Sequence, residues 1–352
     1  MRIDWTSWRV SAAPLEMALG LVALLLGPGA RAGDEARDLA VEAVEYRGWA
    51  HNLRLSNGDA ELIVTLDVGP RVLSYRLAGG KNVFKEYDEQ LGKAGEAEWM
   101  IRGGHRLWTA PEDTTRTYAP DNGPVAWQPL GPGRVRVTPP PDAAHGIQKE
   151  MDVHLEPTGS GVTVVHRIRN VGAQPTELAP WALSVMAPGG VEVIPLPPKR
   201  PHPGSPKNAR TPADFAPNQL YVLWPYTDFQ DPRWGFGAVA LTLRQGGGRG
   251  PTKLGLAHRL GWVGYLNAGT LFVKRFAHRD GVPYPDGGCN FETFTSEGML
   301  EMESLGPLVR LAPGQAVEHT ERWELIADVE DFRTEEQLRT SVLARVKGSA
   351  AD

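Results

Sequence analysis

The sequence predicts an all-β chain: one large antiparallel sandwich of two sheets, covered near its C-terminus by a short helix. Three observations carry this. Apolar and polar residues alternate with a period of two in runs spread from about residue 41 to residue 327, and side chains on a strand point to opposite faces in turn. Clusters of Gly, Pro, Asn and Asp separate the runs, as turns require. Helical periodicity is scarce between them, which argues against strands joined by crossover helices.

Taken in order, residues 1–32 read as a secretory signal. The segment "ALGLVALLLGPGARA" (18–32) has an apolar run and then small residues at Ala30 and Ala32, and the run is short for a bilayer span. The expected location is therefore periplasmic or secreted. In "AELIVTLDV", Leu62, Val64, Leu66 and Val68 share one face, with Glu61, Thr65 and Asp67 on the other. In "GVTVVHRIRN", Val162, Val164, His166 and Ile168 oppose Thr163, Arg167 and Arg169. "TLFVKRF" and "AVEHTERWELI" alternate similarly. The proline-rich stretch 195–219 reads as a long loop, because proline lacks the ladder donor. "RQGGGRG" (244–250) reads as a hairpin tip. "TEEQLRTSVLARV" (334–346) predicts a helix with a Thr334/Gln337 capping box and an apolar stripe of Leu338, Val342, Leu343 and Val346. The expected organisation is a signal at 1–32, the sandwich over 33–330, and a helix and tail over 331–352.

The composition excludes several function classes. A net charge of −5 leaves no basic footprint for nucleic acid. Cys289 is the single cysteine, so no internal disulfide can form; it reads as a small buried strand residue. No His/Cys cluster has zinc spacing, and no phosphate-cradling loop or nucleophile elbow occurs, so neither metal nor cofactor is expected. No other apolar run reaches membrane length, so the mature body is expected not to insert in a bilayer.

Two stretches hold groups suited to chemistry. In "MLEMESL" (299–305), alternation puts Glu301 and Glu303 on one face and Leu300 and Met302 on the other. Same-face neighbours sit roughly 6.5–7 Å apart, and carboxylates that close raise one another's pKa, as a general acid or base needs. Glu292, in "NFETF", precedes them. The second stretch, "GGHRLWTAPEDTTRTYAPDNGPV" (103–125), reads as a loop with His105, Arg106, Trp108, Tyr118 and Asp121. Histidine titrates near neutrality, and arginine offers a planar fork of donors. Aromatic rings beside such groups suit a sugar, whose C–H faces stack while its hydroxyls bond. Trp181 is a further possible pocket floor, and Lys274, on a face with Phe272 and Phe276, a possible buried cation for a ligand.

On these motifs the chain resembles the galactose mutarotase (aldose 1-epimerase) superfamily, and within it an uncharacterised bacterial branch with GGHRLW and MLExESLGPL motifs. "LDVGPRVLSYRLAGGKNVF" (66–84) is similar to that family's opening hairpin. The resemblance implies a large antiparallel β-supersandwich and a catalytic glutamate on a late strand. Glu292 and Glu303 both fit, at different spacings from "LAPGQ" (311–315). The family's Gly-Gly landmark aligns its histidine with Arg102, with His105 just after the glycines. Its second histidine should fall in "ELAPWALSVMAPGG" (177–190), where none occurs and Trp181 and Ser184 stand instead.

The expectation is thus an exported saccharide-binding protein. If catalytic, it performs aldose mutarotation with His105, Glu292 and Glu303 as acid–base groups. Arg102, Arg106, Trp108, Tyr118, Asp121, Trp181, Lys274 and Glu301 then contact the sugar. The alternative is a non-catalytic carbohydrate-binding module.

Overall fold

The computed structural model describes residues 39–247 and 249–349. The expected signal segment lies outside these residues, as does the end of the tail. Two antiparallel sheets make up the fold. From edge to edge the first sheet runs Ala40–Tyr46, Trp49–Ser56, Ala60–Thr65, Arg71–Leu77, Gly104–Ala110, Thr176–Met186, Met299–Leu305, Phe291–Ser296, Thr252–Leu256 and Tyr221–Leu223. A short strand, Val309–Leu311, pairs with the start of Thr176–Met186. The second sheet runs Trp234–Phe236, Ala240–Arg244, Val191–Pro195, Trp262–Asn267, Thr270–Phe276, Ala316–Ile326, Val162–Asn170, Ile147–Leu155, Arg134–Thr138 and Ala126–Gly131.

The main core lies between the sheets, and alternation decides its members. Leu62, Val64, Val164, Ile168, Phe272, Leu300 and Met302 all belong to it. Each such side chain contributes roughly 1.5–3 kcal/mol by leaving water. Val68 departs from the expected row. A register shift between Ile63 and Val64, then the bend at 66–70, turns Val68 into an outer cluster with Trp49, Ile63 and Leu73.

Two connections differ from expectation. Residues 244–250 form no hairpin: Ala240–Arg244 belongs to the second sheet and Thr252–Leu256 to the first, so this segment crosses between layers. The stretch at 104–110 is not a loop but a strand buried along its whole length. Its polar side chains concealed it: His105 and Arg106 find buried partners rather than water. Gly103 and Gly104 let it enter the sheet. Both have positive φ (80° and 68°), and a Cβ would stand 2.0 Å from Lys85 O at the first and 2.3 Å from Val72 O at the second.

The long loop at 196–220 is present, with one 3-10 turn at Pro212–Phe215. The C-terminal helix forms with the Thr334/Gln337 capping box, although its middle, Arg339–Leu343, widens to a π turn. Leu338, Val342 and Val346 pack on Val191, Val193, Leu271 and Val273, the outer face of the second sheet. Among the described residues no helix is long and apolar enough to cross a membrane.

Candidate functional site

The outer face of the first sheet carries the site. Its central strands align their outward side chains in cross-strand rows. Arg106 faces Leu183, Leu183 faces Glu303, Glu303 faces Glu292, and Glu292 faces Gly255. The next row runs Val185, Glu301, Phe294, Lys253. On the other side Trp108 faces Trp181, which faces Leu305.

These rows floor a cavity of about 280 Å3 walled by Trp99, Trp108, Tyr118, Trp181 and Tyr226, with Arg106, Lys253, Glu112, Glu301 and Glu303 as its charged groups. Trp99, Trp108 and Tyr118 pack at ring separations of 4.9–5.5 Å, and Trp181 lies 5.3 Å from Trp108. Such tilted and edge arrangements favour a rigid wall.

The carboxylates on the floor are matched to cations. Arg106 Nη2 donates to Glu301 Oε1 at 2.7 Å, while its guanidinium stacks 4.3 Å over Trp108. Lys253 Nζ lies 2.7 Å from Glu292 Oε2 and 3.0 Å from Glu303 Oε2, between the faces of Trp181 and Trp224 at 4.8 and 4.7 Å. Trp181 Nε1 also donates to Glu303 Oε2, at 3.0 Å. Gly255 makes this possible: a Cβ there would meet Cys289 Sγ at 2.4 Å and the Trp224 ring at 3.2 Å. Burial pulls the Lys253 ammonium down, but Glu303 and Glu292 outweigh it and hold it above the ordinary lysine range. Burial drives both carboxyls up, against the pull of Lys253. The trio therefore holds more protons at neutral pH than free side chains would.

The structure brings together Arg106, Trp108, Tyr118, Trp181, Glu301 and Glu303 in this cavity, with Glu292 directly beside it through Lys253. Four other residues stand elsewhere. His105 is one step from Arg106 on the same strand, so it faces the opposite way, into the dry space between the sheets. There its Nδ1 lies 2.8 Å from Ser184 Oγ and its Nε2 2.7 Å from His166 Nε2. Burial first, then Lys274 and His166, push it well below the ordinary histidine range, so it is neutral and closed off. Lys274 sits in the same interior, donating to Met302 O at 3.0 Å and pairing with Glu321 at 3.0 Å.

Arg102 and Asp121 act as staples of the loops that form the cavity walls. Arg102 donates to Lys93 O at 2.7 Å and Asn122 Oδ1 at 2.9 Å, and pairs with Glu96. Asp121 accepts from Arg71 at 3.0 Å, and Arg71 also donates to Ile101 O and Gly103 O at 2.8 Å. Asn122 Nδ2 reaches Glu96 O and Glu98 O at 3.0 and 2.6 Å. The wall carrying Trp99 is thereby tied to the one carrying Tyr118.

Sequence reasoning missed Lys253, Trp99 and Tyr226. A signal existed for Lys253: in "TKLGL" it alternates with the buried Leu254 and shares a face with Gly255, a small residue that leaves room beside it.

For metal binding, His105, His166 and Glu321 are the set whose ligand atoms converge, all within 4.8 Å among the described residues. Each is already engaged. His166 Nδ1 lies 3.0 Å from His319 O, and Glu321 accepts from Ser304 and Trp323 at 2.5 and 2.7 Å while pairing with Lys274. The ammonium beside that carboxylate opposes a second cation.

No family model matches the chain, and no curated protein matches its sequence. Solved structures match in fold. A Salmonella typhimurium protein named as a candidate mutarotase superposes with a TM-score of 0.51 at 9% identity, over 78% of this chain and 90% of its own. An Escherichia coli K12 protein named as a candidate aldose 1-epimerase gives 0.50 at 12% identity, over 78% and 99%. A TPR-domain protein of Parabacteroides distasonis gives 0.50 at 16% identity, over 80% of this chain but 48% of its own, so the chain spans about half of that protein. At such identities the likeness is one of fold.

Proposed function

We propose, from a fold shared with galactose mutarotase-like proteins, that this chain binds a saccharide in the Arg106–Glu301–Lys253–Glu303 cavity. One observation carries the reading: aromatic walls stand over two carboxylate–cation pairs on a single floor. Rings supply stacking surface for the C–H faces of a pyranose, and the guanidinium, ammonium and carboxyls of the floor offer hydroxyls both donors and acceptors. The test is calorimetric titration with a panel of neutral mono- and oligosaccharides, on the intact chain and on Trp108→Ala. Saturable binding weakened at least 10-fold by the substitution supports the reading. No binding across the panel discards it.

The elevated carboxyl of Glu303 inside the cavity favours a second reading, aldose mutarotation. Glu303 would take the proton of the anomeric hydroxyl as the C1–O5 bond breaks, and the protonated Lys253–Glu292 pair beside it would give a proton to the released ring oxygen. General acid–base help of this kind contributes roughly 10²–10⁴-fold. His105 has no part in it, since it faces the dry interior. Polarimetry of fresh α-aldoses decides. Acceleration lost in Glu303→Gln supports catalysis, and binding without acceleration supports a non-catalytic module. Export completes the proposal, and N-terminal sequencing of the mature protein tests it by asking whether residue 33 comes first.

A further inference from the structure

A second cavity, of about 270 Å3, lies between residues 119–123 and the turn at 139–142. Pro120, Pro139, Pro140 and Pro141 wall it, and proline brings a ring face without an N–H donor. Its charged groups are Asp121, Asp142 and Lys149. Both aspartates already have hydrogen-bond partners. Asp121 pairs with Arg71 at 3.0 Å. Asp142 accepts from the amides of Ala144 and His145 at 3.1 and 3.2 Å and lies 2.7 Å from His145 Nδ1.

Lys149 is different. On the strand Ile147–Leu155 it falls in the core-facing row with Ile147 and Met151, opposite Ile168. It is only partly exposed, and none of the hydrogen bonds or ion pairs among the described residues involves its ammonium. Burial pulls its pKa down, more than Asp121 and Asp142 raise it. Lys149 shares its cavity with two aspartates that bond other groups, so its half-buried ammonium still lacks a hydrogen-bond acceptor, which is costly.

We infer that this cavity is a binding site for a small organic monocarboxylate, whose carboxylate meets Lys149 and whose apolar body lies on the proline wall. At about 270 Å3 the cavity falls below the roughly 300–1,000 Å3 that drug-sized ligands occupy, so only a body of a few carbons enters. The site is separate from the saccharide cavity and does not depend on that reading. The segment 111–125 divides them, with Glu112 and Tyr118 on one side and Pro120 and Asp121 on the other.

The experiment uses the intact chain with butyrate as probe and butyramide as its uncharged isostere, read by saturation-transfer NMR. Saturable butyrate binding at millimolar concentration is expected, with butyramide at least 10-fold weaker. Lys149→Met should weaken butyrate at least 10-fold while leaving saccharide binding unchanged. In the unsubstituted chain the Lys149 Cε resonance should shift with butyrate and stay still with butyramide, a readout that needs no variant to fold. Absence of saturable butyrate binding, equal binding by Lys149→Met, or a motionless Lys149 resonance overturns the inference.

Discussion

Replacing Lys253 by Met tests the electrostatics of the site most directly. The ammonium lies 2.7 Å from Glu292 and 3.0 Å from Glu303, and those two glutamates are register partners on adjacent strands. Their Cβ atoms are therefore about 5 Å apart. Methionine is apolar and similar in length, so it keeps the packing between Trp181 and Trp224 and removes only the charge. Two carboxyls are then left facing one another in a site where Lys253 itself is 5% exposed. Removing one partner of a buried ion pair costs about 3–5 kcal/mol. The sign with pH follows from protonation. Without the cation both folded carboxyl pKa values rise further above the unfolded value of 4.5, so the stability of the variant is lost as pH climbs from 4.5 through the raised values. Because Glu292 is already raised to about 8 beside Lys253, the unsubstituted chain loses the same stability up to that pH and the deficit opens above it. Urea unfolding at pH 6 should give a deficit of about 1 kcal/mol or less, and at pH 9.5 one of about 3–5 kcal/mol. Adding Glu303→Gln should restore most of the loss at the higher pH. An equal deficit at both pH values would falsify the reasoning, because it would mark a packing defect instead of an unpaired charge.

Other outcomes follow from single features. Glu192 is fully buried and raised to about 8, first by burial; its contribution is complete below 4.5 and lost as pH rises to 8. Glu192→Gln should therefore gain on the unsubstituted chain with rising pH, by on the order of 4 kcal/mol at pH 9, and a pH-independent difference in urea midpoints would refute this. His166 and His319, each lowered to about 3 chiefly by burial, contribute stability that is present above 6.5 and lost on acidification. The stability difference between the unsubstituted chain and a His166→Phe/His319→Phe variant should therefore change by roughly 2.7 kcal/mol per pH unit below 6, measurable by denaturation at pH 4, 5 and 6. Gly104→Ala places a Cβ 2.3 Å from Val72 O at a φ that disfavours alanine, and should lower the thermal midpoint strongly or abolish folding. Thr334→Ala removes the cap on Gln337 N and should cost about 1 kcal/mol with no effect on ligand binding.

How far the sequence disclosed the site depends on how locally each residue is governed. Alternation is local, so the pairing of Glu301 with Glu303 on one face, opposite Leu300 and Met302, was legible. The same was true of the Thr334 capping box, whose partners lie three residues apart. The place of His105 is not legible because the polar side chains of Gly104–Ala110 read as a loop, whereas the segment is a strand. On a loop His105 and Arg106 can point together; on a strand they cannot. Asp121 and Arg102 looked like ligand-binding groups because their true partners, Arg71 and Glu96 with Asn122, are supplied by other turns of the chain. Lys253 was overlooked because its significance comes from pairing with strands far along the sequence.

The strand Met299–Leu305 works on both sides of its sheet at once. Glu301 and Glu303 face the cavity, while Ser304 on the reverse bonds Glu321 and Lys274 grips Met302 O from behind. Inserting or deleting a single amino acid there would swap the two sides, driving Glu301 and Glu303 into the closed space beside Glu321 and a serine into the mouth of the cavity. Swaps at 301 and 303 alter the cavity lining and keep the strand's register, whereas any change in length between 299 and 305 does not.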